Sequence, residues 1–414
     1  MRLIVPGEKD EVEIVNEFAK IYYVKAPKSP LFDKRYRIIL PWQYMTNDSP
    51  IRKILLNEMP DLVEITDKYT LSMFGTMVRR KKFKQLGRPM LVHFSCERMD
   101  DNIASFLSGG RFGKRFAAAV MGYYNLPSFD FHIANSPYTA DEFFQSVKKS
   151  GRSAFSKWFF NKSWRMFRAP RVPIEERVFI CPRGVDENQF SPERKSDDIR
   201  SELIERASVP FESTILLYAG RISPEKNIGL LPDFMEILSA DEGRDYRLLV
   251  AGDGPQADWL RQTAEKKMPG KIKLLGHLDK ETLANYYANA DVFVHPNPKE
   301  PFGIAPLEAM ASGVPTVVPN AGGLLFYATV ENTWLVEPNA SEFAAAIKEI
   351  VEKPELRARK IKNALATAAE NTRTKSTDFL IETYDRMYED FQTRRELFVD
   401  EEASKAFDFK EYSD

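Results

Sequence analysis

The residues that decide the fold are 213–254, which read STILLYAGRISPEKNIGLLPDFMEILSADEGRDYRLLVAGDG. Residues 213–221 are a short apolar run that predicts a buried strand, and residues 246–254 predict a second strand ending in a glycine turn. Between them, residues 227–239 carry apolar side chains at helical spacing. A strand, a helix and a strand in this order predict a βαβ unit with parallel strands.

The same alternation continues towards the C-terminus and predicts a doubly wound parallel sheet. Further strands are predicted at residues 272–278, 291–296, 315–319 and 332–338, and helices at residues 256–267, 280–290, 304–312 and 341–353. The N-terminal half alternates less regularly. Its strands are predicted at residues 2–7, 19–27, 37–41, 61–67, 89–95, 129–136 and 176–186. We therefore expect a second α/β domain in this half.

The chain of 414 residues is long enough for two or three domains. We expect an N-terminal domain at residues 1–182 and a C-terminal domain at residues 183–376, with the linker near residues 183–212. A long helix at residues 377–397 is expected to pack back on the first domain. The charged residues 398–414 are expected to form a loosely held tail.

The net charge of −1 hides an asymmetry between the two halves. Residues 1–174 contain 29 Lys and Arg against 17 Asp and Glu, a net charge of +12, whereas residues 175–414 contain 30 against 43, a net charge of −13. A basic surface attracts phosphorylated ligands, anionic lipid or nucleic acid. Two cysteines argue against a disulfide scaffold, and no apolar run reaches the ~18 residues of a membrane-spanning helix. We expect a cytoplasmic protein, or one on the inner face of a membrane.

The strand at residues 213–221 leads into the first candidate site. Gly220 ends the strand, and Arg221 and Lys226 follow before the next helix. Ligands of open α/β sheets bind at the carboxyl ends of the strands, where backbone N–H groups, an Arg and a Lys suit a diphosphate. The alternative is a solvated loop with two exposed cations.

The second candidate site lies in PNPKEPFGIAPLEAMASG, residues 296–313. Gly303 allows a close approach of the backbone to a ligand, and Pro306 falls in the first turn of a helix, where its missing N–H has no partner to lose. Glu300 precedes this helix and Glu308 lies one turn into it. Because a carboxylate accepts hydroxyl donors, the two glutamates suit a ligand rich in hydroxyl groups. The alternative is one capping acid and one surface acid.

These segments together resemble glycosyltransferase family 4, a retaining family with the GT-B fold. The resemblance rests on GRISPEKN, GDGP, GHLD, the two glutamates eight residues apart, ANSPYTADEF (residues 134–143) and PRGVDENQFSP (residues 182–192). It implies α/β architecture with two Rossmann-like domains facing each other across a cleft. It also implies transfer of a hexose from a GDP- or UDP-linked sugar to a glycan or lipid-linked acceptor, without a metal or cofactor.

The resemblance also assigns roles to residues. It implies that Arg221 and Lys226 hold the diphosphate, that Glu308 takes the ribose hydroxyls and that Glu300 takes a sugar hydroxyl, so that Glu300, Arg221 and Lys226 serve catalysis. The remaining donor contacts that it implies are Gly220, Leu278, Phe302, Gly303 and Ile304. The four histidines are scattered along the sequence and suggest no metal cluster.

Two features depart from the family. The segment LVHFSCERMDDN, residues 91–102, resembles a mannosyltransferase-like subgroup in which a histidine occupies the position of Cys96. His93 is expected to be an ordinary strand histidine, which leaves Cys96, Glu97, Arg98 and Asp100 as candidates for acceptor or sugar contacts. The chain also begins at the family's second strand, so we expect either a start upstream or a missing first βα unit. This departure keeps a rival hypothesis open, a catalytically impaired sugar-nucleotide-binding or scaffolding relative.

Residues 147–171, VKKSGRSAFSKWFFNKSWRMFRAPR, contain eight Lys and Arg interleaved with Phe and Trp, and no acid. Basic residues beside aromatic ones are typical of segments that bind the surface of an anionic membrane. The alternative is a helix whose aromatic side chains join the core while the cations stay in water. No RNA- or DNA-binding motif accompanies the segment, and we expect no nucleic-acid partner.

Overall fold

The computed structural model describes residues 1–29, 36–106, 111–150 and 153–399, and it divides them into two compact units. The first unit comprises Met1–Ala134, Thr139–Ile180 and the described residues from Thr383 onward. The second comprises Asn135–Tyr138 and Cys181–Glu382. No helix among the described residues is both long enough and apolar enough to span a bilayer.

The first half of the chain holds two sheets and the helices around them. Its elements are β1 (Arg2–Gly7), β2 (Glu11–Asn16), β3 (Ala19–Lys25), α1 (Trp42–Met45), α2 (Pro50–Glu58), β4 (Leu62–Ile65), α3 (Ser72–Arg79), β5 (Met90–Ser95), α4 (Met99–Phe106), α5 (Arg111–Val120), β6 (Phe131–Ala134), α6 (Pro137–Ser150), α7 (Ala154–Phe167), α8 (Ile174–Arg177) and β7 (Val178–Ile180).

The central sheet of the first unit has the strand order β4-β5-β6-β7, and all its strands are parallel. Strands β5 and β6 are apolar along most of their length and almost wholly buried, as expected when helices cover both faces of a parallel sheet. Strands β1, β3 and β2 form a separate sheet in that order. The strand predicted at residues 37–41 is wrong, because the structure has only an isolated bridge at Arg37 there, followed by α1.

A buried ion cluster ties the first unit together. The Asp130 carboxylate accepts from Arg79, from both terminal nitrogens of Arg88 (2.8 and 2.6 Å) and from the Leu91 backbone N–H at 2.8 Å. Arg79 also donates to the Phe398 carbonyl at 2.9 Å, and the Phe398 side chain is buried. The predicted loose tail is therefore wrong at Phe398, while residues 400–414 lie outside the described residues.

The second half of the chain alternates as its sequence predicts. Its elements are α9 (Asp197–Ala207), β8 (Thr214–Ala219), α10 (Leu230–Ser239), β9 (Tyr246–Ala251), α11 (Ala257–Lys267), β10 (Ile272–Gly276), α12 (Lys280–Asn289), β11 (Val292–Val294), α13 (Ile304–Ala311), β12 (Thr316–Pro319), β13 (Trp334–Val336), α14 (Ala340–Glu352), α15 (Pro354–Glu370), α16 (Arg373–Thr393) and α17 (Arg395–Val399).

The sheet of the second unit has the strand order β10-β9-β8-β11-β12-β13, and every pairing in it is parallel. The first strand in sequence, β8, is central, with two successors on one side and three on the other. This is the 3-2-1-4-5-6 order of a doubly wound sheet, whose topological switch point lies between β8 and β11. A ligand is therefore expected at the carboxyl ends of these two strands.

Candidate functional site

The loops after β8 and β11 lie side by side at the switch point of the second unit. Asn227, in the left-handed region with φ 55°, donates from its side chain to the Pro296 carbonyl at 3.0 Å and so joins the two loops. Both candidate segments of the sequence are therefore brought to one edge of one sheet. The structure confirms the position that the strand pattern predicts.

The centre of this site is an ion pair between the two loops. Lys226 Nζ lies 2.8 Å from Glu300 Oε2, and the same oxygen lies 2.9 Å from Asn297 Nδ2 and 3.3 Å from His295 Nε2. Burial by itself raises the pKa of the Glu300 carboxyl. The Lys226 ammonium and the neighbouring His295 ring outweigh burial and hold that pKa well below its usual range. Glu300 is therefore a fixed negative charge at neutral pH.

Gly303 turns the chain from this loop into α13. Its φ of 87° is in the left-handed region, and a Cβ at this position would lie 2.9 Å from the Tyr327 hydroxyl and 3.3 Å from Glu300 Cγ. The Tyr327 hydroxyl donates to the Gly303 carbonyl. Pro306 falls in the first turn of α13, as predicted, and the helix directs its free N–H groups and the positive end of its dipole towards this loop.

Glu308 lies one turn into α13 in a different environment. Its Oε2 accepts from the Tyr287 hydroxyl at 3.1 Å. Burial raises the pKa of the Glu308 carboxyl to about 7, which the Tyr287 hydrogen bond and the charges of Lys280 and Arg373 reduce only in part. The carboxyl is therefore close to half protonated at neutral pH, and a hydroxyl-rich ligand would favour the ionised form because its hydroxyls donate to it.

Arg221 leaves β8 through Gly220, whose φ of 154° is favourable for glycine. The Tyr218 hydroxyl donates to the Arg221 carbonyl at 2.9 Å and fixes this turn. The Arg221 guanidinium lies 3.4 Å from a Glu225 oxygen, a partner that sequence reasoning missed. The structure thus places Arg221 and Lys226 on the same loop, each beside a carboxylate.

The other predicted donor contacts are spread along this edge of the sheet. Phe302 is buried, and Ile304 begins α13 half-buried. Leu278 follows the outer strand β10 and packs, partly buried, against the core cluster that contains Phe302 and Leu307. The roles of these residues towards a donor remain predictions.

Several residues of the site were missed by sequence reasoning. His295 and Asn297 are buried beside Glu300, and no motif separated them from the rest of their loop. Gly323 donates its N–H to the Glu300 carbonyl at 2.7 Å, and a Cβ there would lie 1.8 Å from the Pro301 carbonyl oxygen. The Ser136 hydroxyl donates to that same carbonyl. The paired glycines at 322 and 323 were a signal that could have been read.

In the first unit, the predicted acceptor residues follow the carboxyl end of β5. Arg98 binds Asp100 through two hydrogen bonds of 3.0 and 2.9 Å, and Glu142 accepts from the Asp100 backbone N–H at 2.9 Å. Lys68, fully buried, binds Glu142 at 2.9 Å and also donates to the Glu97 carbonyl. This network orders the loop, so Arg98 and Asp100 have a structural role whatever else they bind.

Cys96 and Glu97 differ from their neighbours in exposure. The Cys96 side chain is half-buried and forms no disulfide, and the Glu97 side chain is exposed. His93, by contrast, is fully buried, and its Nδ1 lies 3.2 Å from His132 Nδ1. Burial and the mutual repulsion of the rings hold the pKa of His93 well below its usual range. His93 is a core histidine, as predicted, and the fold brings it beside His132 although the two are far apart in the sequence.

The basic aromatic segment is divided between the core and the surface. In α7, Phe160, Trp164 and Phe167 are buried, whereas Phe155 and Trp158 are 74% and 55% exposed. Phe159 is also exposed, and the Lys162 ammonium lies 5.0 Å from the centre of the Trp158 ring. Helix α5 repeats this pattern, with exposed side chains at Phe112, Lys114, Arg115 and Phe116. The alternative of aromatic side chains joining the core is confirmed for Phe160, Trp164 and Phe167, and the membrane contact of the exposed face stays a prediction.

Comparison with known proteins adds independent findings. The model of the family described as glycosyl transferases group 1 matches residues 200–367. The chain is 27% identical over 355 residues to a GDP-mannose-dependent alpha-(1-6)-phosphatidylinositol dimannoside mannosyltransferase of Mycobacterium tuberculosis, covering 85% of this chain and 79% of that protein. It is 38% identical over 147 residues to a GDP-mannose-dependent alpha-mannosyltransferase of Corynebacterium glutamicum, covering 35% of this chain and 32% of that protein.

Solved structures of similar fold cover most of the chain. Sucrose-phosphate synthase from Thermosynechococcus elongatus superposes with a TM-score of 0.68 at 20% identity, covering 94% of this chain and 88% of that one. Anabaena HepE in complex with UDP-glucose superposes with a TM-score of 0.61 at 20% identity, covering 82% of each chain. These likenesses confirm the predicted fold class.

Proposed function

Because this chain carries a glycosyltransferase group 1 domain at residues 200–367, we propose that it is a retaining hexosyltransferase acting on a nucleoside diphosphate sugar. The family match confirms the resemblance read from the sequence. The observation that carries the proposal is the Lys226–Glu300 ion pair, 2.8 Å long, at the switch point of the sheet. The two mannosyltransferase relatives, both named GDP-mannose-dependent, support GDP-mannose as the first donor to test.

The charges of the site suit the departure of a diphosphate. As the bond to the anomeric carbon breaks, Lys226 and Arg221 offset the negative charge that develops on the diphosphate oxygens. Glu300, held ionised by Lys226, accepts hydrogen bonds from sugar hydroxyls and fixes the orientation of the sugar. The first N–H groups of α13 supply further donors beside Gly303.

Retention follows if the acceptor hydroxyl attacks from the face that the diphosphate leaves. In that step the acceptor oxygen bonds to the anomeric carbon, the bond to the diphosphate oxygen breaks, and the diphosphate takes up the hydroxyl proton. Glu308 would bind the ribose of the donor through two hydroxyl hydrogen bonds. Because Glu308 lies near Tyr287 rather than beside Lys226, we assign it to donor binding rather than to catalysis.

We further propose a peripheral membrane contact that supplies a lipid-linked acceptor. Exposed Phe155, Trp158 and Phe159 lie on the same helix as Lys157 and Lys162, with no acid in α7. Aromatic rings at the interface and cations near anionic head groups bind such a surface together. The support is this exposed face, together with the name of the mycobacterial relative, a phosphatidylinositol dimannoside mannosyltransferase.

The enzymatic proposal is tested by donor turnover and by the anomer formed. Purified protein is incubated with GDP-mannose or UDP-glucose, and release of the nucleotide and the configuration of the product are measured. The Lys226→Met variant should lose about 10²–10³-fold in rate, the usual effect of removing one group that stabilises the developing charge. The matched control is Lys266→Met, which replaces an exposed lysine on α11. An inverted product would refute retention, and no turnover of any donor would favour the non-catalytic alternative.

The membrane contact is tested with paired aromatic variants. Phe155→Ser/Trp158→Ser should reduce sedimentation with anionic vesicles, whereas Phe211→Ser/Trp259→Ser, an exposed Phe and Trp of the second unit, should not. Equal sedimentation of both variants with anionic and neutral vesicles would contradict the proposal.

A further inference from the structure

A basic cavity of about 650 Å³ lies in the first unit, apart from the candidate acceptor loop. Two amide side chains and six cations line it, and none of its lining residues is acidic. The six cations are Arg52, Arg80, Lys81, Lys82, Lys84 and Arg168. Its volume lies within the ~300–1,000 Å³ typical of ligand pockets.

The cavity lies at the amino-terminal edge of the four-stranded sheet. Residues 80–84 lie in the segment that connects the end of α3 to the start of β5, and Arg168 follows the end of α7 in the segment that leads to β7. A segment that leads from a helix into a parallel strand lies at the amino end of that strand. Cys96–Asp100, in contrast, follow the carboxyl end of β5. The basic cavity and the candidate acceptor residues therefore occupy opposite edges of the sheet.

Helix dipoles explain only part of this charge. Arg80 and Arg168 follow helix C-termini, where a cation is favourable. Arg52, however, lies in the first turn of α2, which contains no acid and where a cation is unfavourable. Its guanidinium lies 4.5 Å from the centre of the Phe83 ring and 3.4 Å from the Lys82 carbonyl, which aims it into the cavity with the other cations.

The backbone supplies a second, independent indication. Lys81 and Arg168 have φ angles of 58° and 56°, in the left-handed region that favours glycine after a helix. Only five non-glycine residues with positive φ occur in the described part of the chain, and these two both line the cavity. At both of these positions a cation stands where glycine would relieve the strain, so each of the two residues contributes charge to the cavity at a cost in backbone strain.

We propose that this cavity binds a polyanionic phosphate group. Arginine forks bind phosphate oxygens in pairs and lysines act as mobile point charges, so six such side chains suit a ligand with two or more phosphates. The phosphates can belong to a lipid head group or to a soluble polyphosphate. The cavity is a different surface from the exposed aromatic face of α7, and its ligand does not depend on the donor.

The test compares two triple variants of equal charge in the full chain. Lys81→Gln/Lys82→Gln/Lys84→Gln neutralises half of the cavity, and Lys195→Gln/Lys266→Gln/Lys362→Gln removes three exposed lysines of the second unit. Each protein is titrated with sodium tripolyphosphate by calorimetry. The cavity variant should bind on the order of 100-fold more weakly, about fivefold for each cation removed, and the control should bind as the wild type does. Both variants keep the donor site, so any binding there is common to both. The difference between their tripolyphosphate affinities therefore measures binding in the cavity.

Vesicles distinguish the two sources of phosphate. Phosphatidylcholine vesicles containing phosphatidylinositol bisphosphate are compared with vesicles of equal charge containing phosphatidylserine. If the wild type prefers the bisphosphate vesicles and the cavity variant does not, the ligand is a lipid head group. If the cavity variant differs from the wild type only in its affinity for tripolyphosphate, the ligand is soluble. Equal tripolyphosphate affinity in the two triple variants would overturn the proposal.

A single variant separates binding from folding. Lys81→Gly removes one cation and the left-handed strain together, so it should bind tripolyphosphate about fivefold more weakly while its Tm is equal to or above that of the wild type. Wild-type affinity in Lys81→Gly would overturn the role given to Lys81. A merely structural lysine would change the Tm without changing the affinity.

Discussion

Replacing Glu308 by Gln should stabilise the protein at neutral pH and weaken donor binding at the same time. Burial raises the pKa of this carboxyl from 4.5 to about 7 in the folded protein. As pH rises from about 4.5 to about 7, the unfolded chain releases the proton first, so it binds fewer protons than the folded state and stability falls. Below about pH 4.5 both states are protonated and the effect vanishes.

The magnitude follows from the size of the shift. About 2.5 pKa units correspond to about 3 kcal/mol at 1.36 kcal/mol per unit, fully expressed above about pH 7. Glutamine cannot ionise and can still accept from the Tyr287 hydroxyl, which lies 3.1 Å away in the wild type. Glu308→Gln should therefore raise the Tm by roughly 6–12 °C above about pH 7 and hardly at all below about pH 4.5.

Donor affinity should change in the opposite direction. A carboxylate binds hydroxyls about twice as strongly as a neutral acceptor, so the Gln variant should bind the donor about tenfold more weakly above about pH 7. Wild-type affinity should also fall as pH drops below about 7, because binding must then expel the Glu308 proton, while the variant should show no such dependence.

The assays are thermal unfolding and calorimetric titration of GDP-mannose across this pH range. Glu355→Gln, which alters an exposed glutamate at the start of α15, is the control and should change neither quantity. Parallel pH profiles for the Tm of wild type and Glu308→Gln would refute the burial argument. An unchanged donor affinity would refute the role in ribose binding.

Two further predictions concern the backbone turn and the buried ion cluster. Gly303→Ala should lower the stability by about 2 kcal/mol or more and weaken donor binding, because φ is 87° and a Cβ would lie 2.9 Å from the Tyr327 hydroxyl; a Tm equal to that of the wild type would contradict this. Asp130→Asn should destabilise the first unit by about 3–5 kcal/mol, since Arg79 and Arg88 would be left without a buried carboxylate. Below the unfolding temperature, the Asp130→Asn variant is expected to bind the donor with the affinity of the wild type. A lower donor affinity would show that the cluster acts beyond the first unit.

The sequence predicted best where one local pattern determines one structure. Apolar runs of strand length alternating with amphipathic helices were enough for every strand of the six-stranded sheet. The failures lie where a short apolar run had no tertiary partner to make it a strand, as at residues 37–41, or where a distant contact decides burial. Phe398 is such a case, because its carbonyl accepts a hydrogen bond from Arg79 and the centre of its ring lies 5.0 Å from the centre of the Phe131 ring. The sequence around Phe398 predicts neither contact.

The candidate site shows the same division. Gly303 and Pro306 could be read from the sequence because their backbone properties depend on the residue itself. His295 and Asn297 could not, because they matter only through the position of Glu300 in the folded sheet. Their residue types are ordinary in any loop.

The two glutamates make this argument most clearly, since the same side chain occurs twice within one loop and one helix. Glu300 and Glu308 are equivalent in a sequence pattern, yet their environments move the two pKa values apart. Lys226 from the neighbouring loop and His295 from the same loop lie beside Glu300 and keep it ionised, whereas Glu308 has a neutral tyrosine as its nearest partner and is close to half protonated at neutral pH. Glu300 is thereby a permanent charge, whereas hydroxyl donors of the proposed ligand would complete the ionisation of Glu308 at neutral pH. The binding of the donor is therefore expected to depend on pH through Glu308 and not through Glu300.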